Sequence, residues 1–449
     1  MTFSLGKPKP LIKADDIYIF YVGIVCLFCL HCMEDSMLEF NKEKMKNLLM
    51  YLVLAGIVGV SVGAIDALFG RVLIAIGDFR TLYYQFLIPF LPLAGLLIIG
   101  MYYKFSKESL GGMGLVFDTA LNKREHIPVL LIPLVMVGTW ITHLFGGSAG
   151  REGVAVQIGA TFSHELGKKF KLPDSRTLLV IGMAAGFSGL FQTPLAAIFF
   201  ALEVIISGAL VYEALLSAVV ASYLACFISN SLGLEKFYVP ITSSVELSFN
   251  TVIPLVLIGI AFGLTGLLFS KGLAFGKKKA KSLIESPYKR IFFMAIPLAA
   301  ILFFALGGRY CGLGTNLISN SFHGGDIYSF DWIVKLALTI FTLSIGFQGG
   351  EVTPLFSIGA SLGFVLGAVF GLPVEAIAAM GYAAVFGSAT NTLIAPIFIG
   401  LEVFGPTNIL PLSLVCVIAY IVNFNSSIYG GQISLKNFII GKVKDGESK

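Results

Sequence analysis

The stretch GREGVAVQIGA at 150–160 decides the fold, because a second copy of its pattern, GEVTPLFSIGA, stands at 350–360. Both begin with glycine and end in Ile-Gly-Ala. With nearly the same offset of about 200 residues, AAGF at 184–187 and LEV at 202–204 lie over AAVF at 383–386 and LEV at 401–403. Agreement between several separate segments indicates an internal repeat, which in membrane proteins is typical of transporters and channels with a site at the repeat interface.

The composition surrounding this repeat is that of a membrane protein. Of 449 residues 56% are apolar and only 13% are charged, and the mean hydropathy is +0.88. Several runs are long and apolar enough to span, or nearly span, a hydrocarbon core of about 30 Å. They are Leu49–Leu68, Phe86–Tyr103, Ile127–Phe145, Ile253–Phe269, Ile291–Leu306, Trp332–Ile345 and Pro411–Val422. The repeated spans exclude a large soluble helical protein.

Short basic clusters predict the topology. The net charge of +5 sits mostly in Lys42–Lys46, Lys168–Lys171 and Lys277–Lys281, each next to an apolar run. Positively charged loops favour the cytoplasmic side of a membrane, so we expect both termini to be cytoplasmic. We expect the protein to lie in the plasma membrane of a bacterium. A short basic loop between spans is weak evidence for nucleic-acid binding, and we predict none.

The chain is predicted to be all-α and to divide into four parts. Residues 1–42 form an N-terminal extension, either disordered or upstream of the native start. Residues 43–232 and 251–425 are the two membrane repeats, and 426–449 hold a last helix lining the path and a short cytoplasmic tail. Cys26, Cys29 and Cys32 lie near His31, but this spacing also places them on one helix face, so no metal site or cofactor is predicted.

Three glycine-rich breaks interrupt the apolar runs, at 111–115 (GGMGL), 150–154 (GREGV) and 349–354 (GGEVTP). Segments such as Leu190–Val204 and Ala389–Phe404 are too short or too interrupted to cross fully, and we interpret them as half-helices. A helix that starts inside a membrane protein leaves backbone N–H groups without partners. An anion satisfies these groups and is attracted by the helix dipole.

In this order, the three breaks resemble the signature loops of the CLC family of chloride channels and anion/proton exchangers. The family's GREG string is retained at 150–153. Met113 occupies the position that is usually serine in the first loop, and Val352, preceded by Glu351, occupies the position that is usually phenylalanine in the third. In these departures the chain resembles the fluoride-exporting branch of the family. The resemblance implies a fold of two inverted repeats with broken and half-spanning tilted helices. It also implies a homodimer in which each subunit has its own path.

Glu152 is the gating glutamate that this resemblance implies. A carboxylate among donors arranged for an anion competes with that anion when ionised and carries a proton when neutral. The alternative is a structural ion pair with Arg151, which we disfavour because adjacent residues at a helix start point in different directions.

Glu351 is the second candidate for gating and proton transfer. It stands at the repeat position of Arg151, and a simple helix cap is the alternative. Chloride exchangers of the family place a further glutamate where this chain has Val204, so Glu351 is a candidate replacement. Glu203 and Glu402 recur at equivalent helix ends, and we interpret both as structural.

The expected anion-binding residues are drawn from these helix starts and from two aromatic positions. Tyr429 matches the pore-lining tyrosine of the family, although tyrosine at a membrane interface is the alternative. Phe117 is included because its ring edge is positive. The full set is Met113, Phe117, Gly153, Val154, Val352, Thr353 and Tyr429.

The predicted function is export of fluoride across the cell membrane by fluoride/proton antiport, with fluoride, protons and lipid as partners. Export against a gradient needs coupling, and an ionisable Glu152 supplies a proton carrier. The alternative is a chloride channel or a chloride/proton exchanger of the same architecture. An enzyme is not predicted, because no nucleophile with a base and no metal pair is found in the membrane segments.

Overall fold

The computed structural model describes residues 42–172, 174–304 and 306–440. Residues 1–41, which hold Cys26, Cys29 and Cys32, and the tail 441–449 lie outside the described residues. The described chain is almost entirely helical, with two short strands, so the predicted all-α membrane fold is confirmed.

The helices follow one another along the chain. Their bounds are α1 Lys42–Leu87, α2 Leu91–Phe105, α3 Met113–Ala120, α4 Leu131–Leu144, α5 Glu152–Lys169, α6 Ser175–Phe191, α7 Pro194–Glu203, α8 Leu215–Ser231, α9 Phe249–Leu283, α10 Pro287–Phe304, α11 Thr315–Phe322, α12 Asp331–Ile345, α13 Val352–Phe370, α14 Val374–Thr390, α15 Ile394–Phe404 and α16 Ile409–Val422. Strand β1, Ile206–Ser207, pairs in parallel with β2, Ile433–Ser434. Residues 435–440 are helical.

Five helical segments of the described chain are long and apolar enough to cross a membrane. They are Met45–Phe105, Tyr212–Ser231, Phe249–Leu283, Pro287–Phe304 and Val352–Phe370. The remaining apolar helices are shorter. At 10 and 11 residues, α7 and α15 reach only about half of a 30 Å core, because an α-helix rises about 1.5 Å per residue.

Local sequence explains where several of these helices begin. The Asp174 side chain accepts the N–H groups of Arg176 and Thr177 at 3.0 and 3.3 Å and starts α6. Pro194 occupies the first turn of α7, where a missing N–H costs little. Two non-glycine residues in the left-handed region, Gln192 and Asn391, end α6 and α14 at equivalent points of the two repeats.

The two central glycine loops meet as an antiparallel pair. The N–H of Gly150 donates to the carbonyl of Gly350 at 2.5 Å, and the N–H of Gly350 donates back at 2.7 Å. Equivalent segments therefore run in opposite directions where they touch, as inverted repeats require. The start of α5 is held beside the start of α13.

A second exchange between the repeats uses Glu203 and Glu402. Glu203, at the end of α7, accepts the N–H groups that open α15, with Ala395 the nearest at 2.8 Å. Glu402, in α15, accepts the N–H groups of Leu195 and Ala196 that open α7, at 3.1 and 2.9 Å. Each carboxylate caps the other repeat's helix, and the predicted structural role of both residues is confirmed.

Glycine pairs allow the closest helix crossings, and these also obey the repeat. A Cβ on Gly159 of α5 would lie 2.0 Å from the carbonyl oxygen of Gly182 in α6. A Cβ on Gly359 of α13 would lie 2.1 Å from the carbonyl oxygen of Gly381 in α14. Both crossings bring backbone against backbone, as small residues permit in membrane proteins.

We expect Gly159→Ala to destabilise the protein by about 2 kcal/mol, because its methyl group forces α5 away from α6. The thermal midpoint and the monodisperse fraction in detergent measure this effect. Gly100→Ala is the matched control, because a Cβ there meets nothing within 4 Å. Equal midpoints for the two variants would contradict the tight crossing.

Candidate functional site

The carboxylate of Glu152, the first residue of α5, reaches across to the first turn of α13. Its Oε2 accepts the N–H of Thr353 at 3.1 Å and also accepts the Thr353 hydroxyl. Glu152 is 1% exposed, so burial removes competing water. The carboxylate thus occupies the kind of position that an anion takes at a helix N-terminus.

The neighbouring Arg151 contacts the other carboxylate oxygen only loosely. Arg151 Nε lies 3.5 Å from Glu152 Oε1, and neither atom has a hydrogen-bond partner within the described part of the chain. The pairing that we disfavoured from the sequence is therefore present as an electrostatic contact. The hydrogen bonds that hold the carboxylate come mainly from Thr353.

Two cavities with different lining residues lie near this point. The first, with a volume of about 450 Å³, is lined by Glu152 and Thr353 and by residues of α1 and the start of α11; we name it the Glu152 cavity. The second, about 750 Å³, is lined by Glu351 together with Met113, Phe117 and Tyr429; we name it the Glu351 cavity. Thus, the two predicted carboxylates face different cavities.

Glu351 directly precedes α13 but does not cap it. Its backbone is at the N-cap position, and its side chain makes no capping hydrogen bond to the described residues of the helix. A Cβ on Gly153 would lie 3.4 Å from Glu351 Oε2, so the carboxylate packs beside the start of α5. Lys277 lines the same cavity. The alternative of a simple side-chain cap thus finds no support in the hydrogen bonding.

Tyr429 brings a buried donor to the Glu351 cavity. It is 5% exposed, and its hydroxyl oxygen has no hydrogen-bond partner among the described residues. Its ring lies 5.3 Å from that of Phe117 and 6.4 Å, edge to face, from that of Phe200. A buried hydroxyl without a partner is costly, so an acceptor in the cavity would stabilise this arrangement.

Of the other predicted anion-binding residues at the two helix starts, Thr353 lines the Glu152 cavity, whereas Gly153, Val154 and Val352 line neither cavity. Val154 and Val352 are 0% and 1% exposed and line neither cavity. The N–H of Val154 already donates to the carbonyl of Arg151 at 3.0 Å. Gly153 packs against Gly350 and Glu351. Of this group, Thr353 alone contacts the Glu152 carboxylate.

Three polar residues near the cavities were not predicted from the sequence. Gln157, Ser357 and Lys335 are buried, and Gln157 Oε1 and Ser357 Oγ find no hydrogen-bond partner in the residues that the structure describes. The repeat alignment held a signal for two of them, since Gln157 and Ser357 stand at equivalent positions of α5 and α13. Lys335 was visible only as a lone charge inside the apolar run Trp332–Ile345, which is a functional hint by itself.

Comparison with known proteins gives consistent matches over most of the chain. Residues 94–423 match the family model described as voltage gated chloride channel. A relative from Pseudomonas syringae pv. tomato, named chloride/fluoride channel protein, is 36% identical over 414 residues, which cover 89% of this chain and 91% of that protein.

Solved structures are similar over the same region. The crystal structure of a CLC-type fluoride/proton antiporter has a TM-score of 0.85 and 49% identity, covering 86% of this chain and 98% of that one. A slow cyanobacterial Cl⁻/H⁺ antiporter has a TM-score of 0.72 at 19% identity, covering 84% and 96%. The second likeness concerns the fold alone.

Proposed function

The chain belongs to the CLC family of anion channels and exchangers, and we propose from this premise that it exports fluoride across a cell membrane in exchange for protons. Transport of anions follows from the family. Fluoride as the cargo, and antiport as the mode, rest on the site and on the fluoride/proton antiporter that the chain is similar to.

The contact between Glu152 and Thr353 carries this proposal. An ionised Glu152 fills the start of α13 and lies in the wall of the Glu152 cavity. When the carboxyl takes up a proton it loses its attraction for the helix start, and an anion replaces it. Proton binding and anion passage then use the same position, which is the basis for exchange.

Tyr429, Phe117 and Met113 support an anion position in the Glu351 cavity. The Tyr429 hydroxyl is a hydrogen-bond donor without an acceptor among the described residues, and fluoride is a strong hydrogen-bond acceptor. The Phe117 ring beside it has a positive edge that favours an anion. Met113 brings no hydroxyl to the start of α3, so Tyr429 and backbone N–H groups are donors there, beside the Gln157 amide that packs against Gly112.

Glu351 is proposed to pass protons between its cavity and Glu152. Its carboxylate packs against Gly153 at the start of α5 and lines the Glu351 cavity, whereas Glu152 lines the other cavity. A titratable group in the wall of each cavity gives protons one relay position in each. This proposal assigns to Glu351 the role that chloride exchangers of the family give to the glutamate at the position of Val204.

The Glu351 cavity is proposed to face the cytoplasm. Lys277, Lys281 and Arg290 line it, and positive charge favours the cytoplasmic side. Both termini then lie in the cytoplasm of a bacterial cell. A homodimer with one path per subunit is also proposed, on the resemblance of the chain to the CLC family.

Efflux from liposomes tests the cargo. We expect protein reconstituted into liposomes to release fluoride at least about tenfold faster than chloride, a difference of about 1.4 kcal/mol. Proton uptake should accompany the fluoride. Ion-selective electrodes and a pH electrode measure the three fluxes, and protein-free liposomes give the leak. Equal release of both halides would favour the chloride alternative, and fluoride release without proton movement would exclude antiport.

A further inference from the structure

The two repeats place an unpartnered polar side chain at equivalent positions, Gln157 in α5 and Ser357 in α13. Gln157 is 8% exposed and Ser357 is 0% exposed. Neither Gln157 Oε1 nor Ser357 Oγ has a hydrogen-bond partner among the described residues. Their separation of about 200 residues is the offset of the repeat itself. The internal symmetry therefore relates the surroundings of the two side chains.

Each of these side chains lies against the start of a short helix. Gln157 Oε1 is 3.3 Å from the position of a Cβ on Gly112, the N-cap of α3, and Ser357 Oγ is 2.6 Å from the position of a Cβ on Gly314, the N-cap of α11. Both helices have 8 residues, and both glycines have positive φ, 50° and 83°. No larger residue would fit at Gly314 without displacing Ser357.

The two helix starts line different cavities. The start of α3 lines the Glu351 cavity, together with Met113. Gly314, Thr315 and Asn316, at the start of α11, line the Glu152 cavity. The first N–H groups of a helix have no acceptor within it. The proposed anion position at α3 therefore has a counterpart at α11.

A buried cation distinguishes the α11 side. Lys335 of α12 is 0% exposed, and its Nζ donates to the carbonyls of Tyr310 and Gly312 at 3.1 and 2.6 Å. Its Cε is 2.8 Å from the position of a Cβ on Gly314. The ion pairs found among the described residues do not include Lys335. A buried ammonium without a carboxylate is costly, and a nearby anion compensates it.

We infer that the start of α11, Ser357 and Lys335 form a second anion-binding site, which we name the α11 station. The backbone N–H groups and the Ser357 hydroxyl donate hydrogen bonds, and Lys335 supplies the positive charge. The ligand is a small monovalent inorganic anion, and its identity as fluoride rests on the proposed function. The station is distinct from the position that Glu152 fills, because a different helix start forms it.

The place of the α11 station on the path follows from α13. Ser357 lies one turn beyond Thr353, so the two residues share a helix face and are separated by about 6 Å along the axis. Both Thr353 and the start of α11 line the Glu152 cavity. An anion that passes Glu152 meets the station next. An anion bound at the α11 station has left the start of α13, so the Glu152 carboxylate can return to that position.

Calorimetric titration of the purified full chain with sodium fluoride tests the station. We expect Ser357→Ala to weaken anion binding about tenfold, as loss of one hydrogen bond to a charged ligand does. Lys335→Met should weaken anion binding at least as much, whereas Lys335→Arg, which keeps the positive charge, should retain it. Ser361→Ala is the matched control on the same helix, because its hydroxyl is already bonded to the carbonyl of Ser357 at 2.7 Å. That variant should bind as the wild type does.

Liposome flux provides the second readout. A raised KM for fluoride in Ser357→Ala, with the maximal rate kept within about twofold, supports the station. Unchanged binding and unchanged KM in Ser357→Ala would overturn it, even if Lys335→Met fails to fold. If the wild type releases chloride and not fluoride, the proposed function fails. The same titration with sodium chloride then decides on the station separately.

Discussion

Glu152→Gln is expected to lower proton-coupled fluoride flux by on the order of 100-fold, the scale on which loss of a proton-transferring group acts. Glutamine keeps the size of the side chain, and its amide oxygen still accepts the N–H of Thr353. It does not exchange protons. The helix start therefore stays occupied by a neutral group, and the exchange of carboxylate for anion stops.

Flux of fluoride and protons in liposomes measures this effect. Glu165→Gln is the matched control, because Glu165 lies on the same helix, contacts His126 and lines neither cavity. Loss of one charge at the start of α13 costs about 0.3–1 kcal/mol, which is too little to unfold the protein. Fluoride flux that stays coupled to protons in Glu152→Gln would remove Glu152 from the gating role.

Glu351→Gln is expected to lower proton-coupled flux by a similar factor of about 100, while fluoride binding is retained. The physical reason is the position of the side chain: it packs beside Gly153 and faces the Glu351 cavity. Protons that arrive from that cavity need a titratable group before they reach Glu152. Glutamine leaves the packing nearly unchanged and removes the titration.

The comparison with Glu375→Gln separates proton transfer from an effect on helix stability. Glu375 is an exposed carboxylate in the first turn of α14, so its loss changes only the interaction with a helix dipole. Simultaneous recording of fluoride and proton flux provides the readout for both variants. Normal coupling in Glu351→Gln would return Glu351 to a structural role at the start of α13.

Much of the architecture was predictable because membrane segments carry their signal locally. Hydropathy alone separates the membrane helices from the loops, since a bilayer leaves few other solutions for the backbone. The half-helix interpretation of Leu190–Val204 and Ala389–Phe404 is correct in that each ends in a short helix, α7 or α15. What hydropathy misses is the break itself, which stands at Gln192 and Asn391 rather than at a glycine or proline.

The site was predictable in part. The glycine loops with Glu152, Glu351 and Met113 are visible as motifs because they are contiguous in sequence. The predicted Val154 and Val352 line neither cavity; the helix turn directs both side chains into the core, which a motif cannot express. Lys335 and Ser357 were missed since their meaning depends on Gly314, which lies more than 20 residues from either along the chain.

The sequence by itself determined that this protein is a repeated helical membrane protein with a carboxylate, Glu152, in a glycine loop. Only the tertiary structure decided that the Glu152 carboxylate reaches Thr353 of the other repeat and that Glu351 faces a separate cavity. The physical reason is that sequence identities between the repeats do not show how one repeat is oriented relative to the other in space. The antiparallel contact of Gly150 with Gly350 shows this orientation, and the orientation determines which helix start each buried polar group meets.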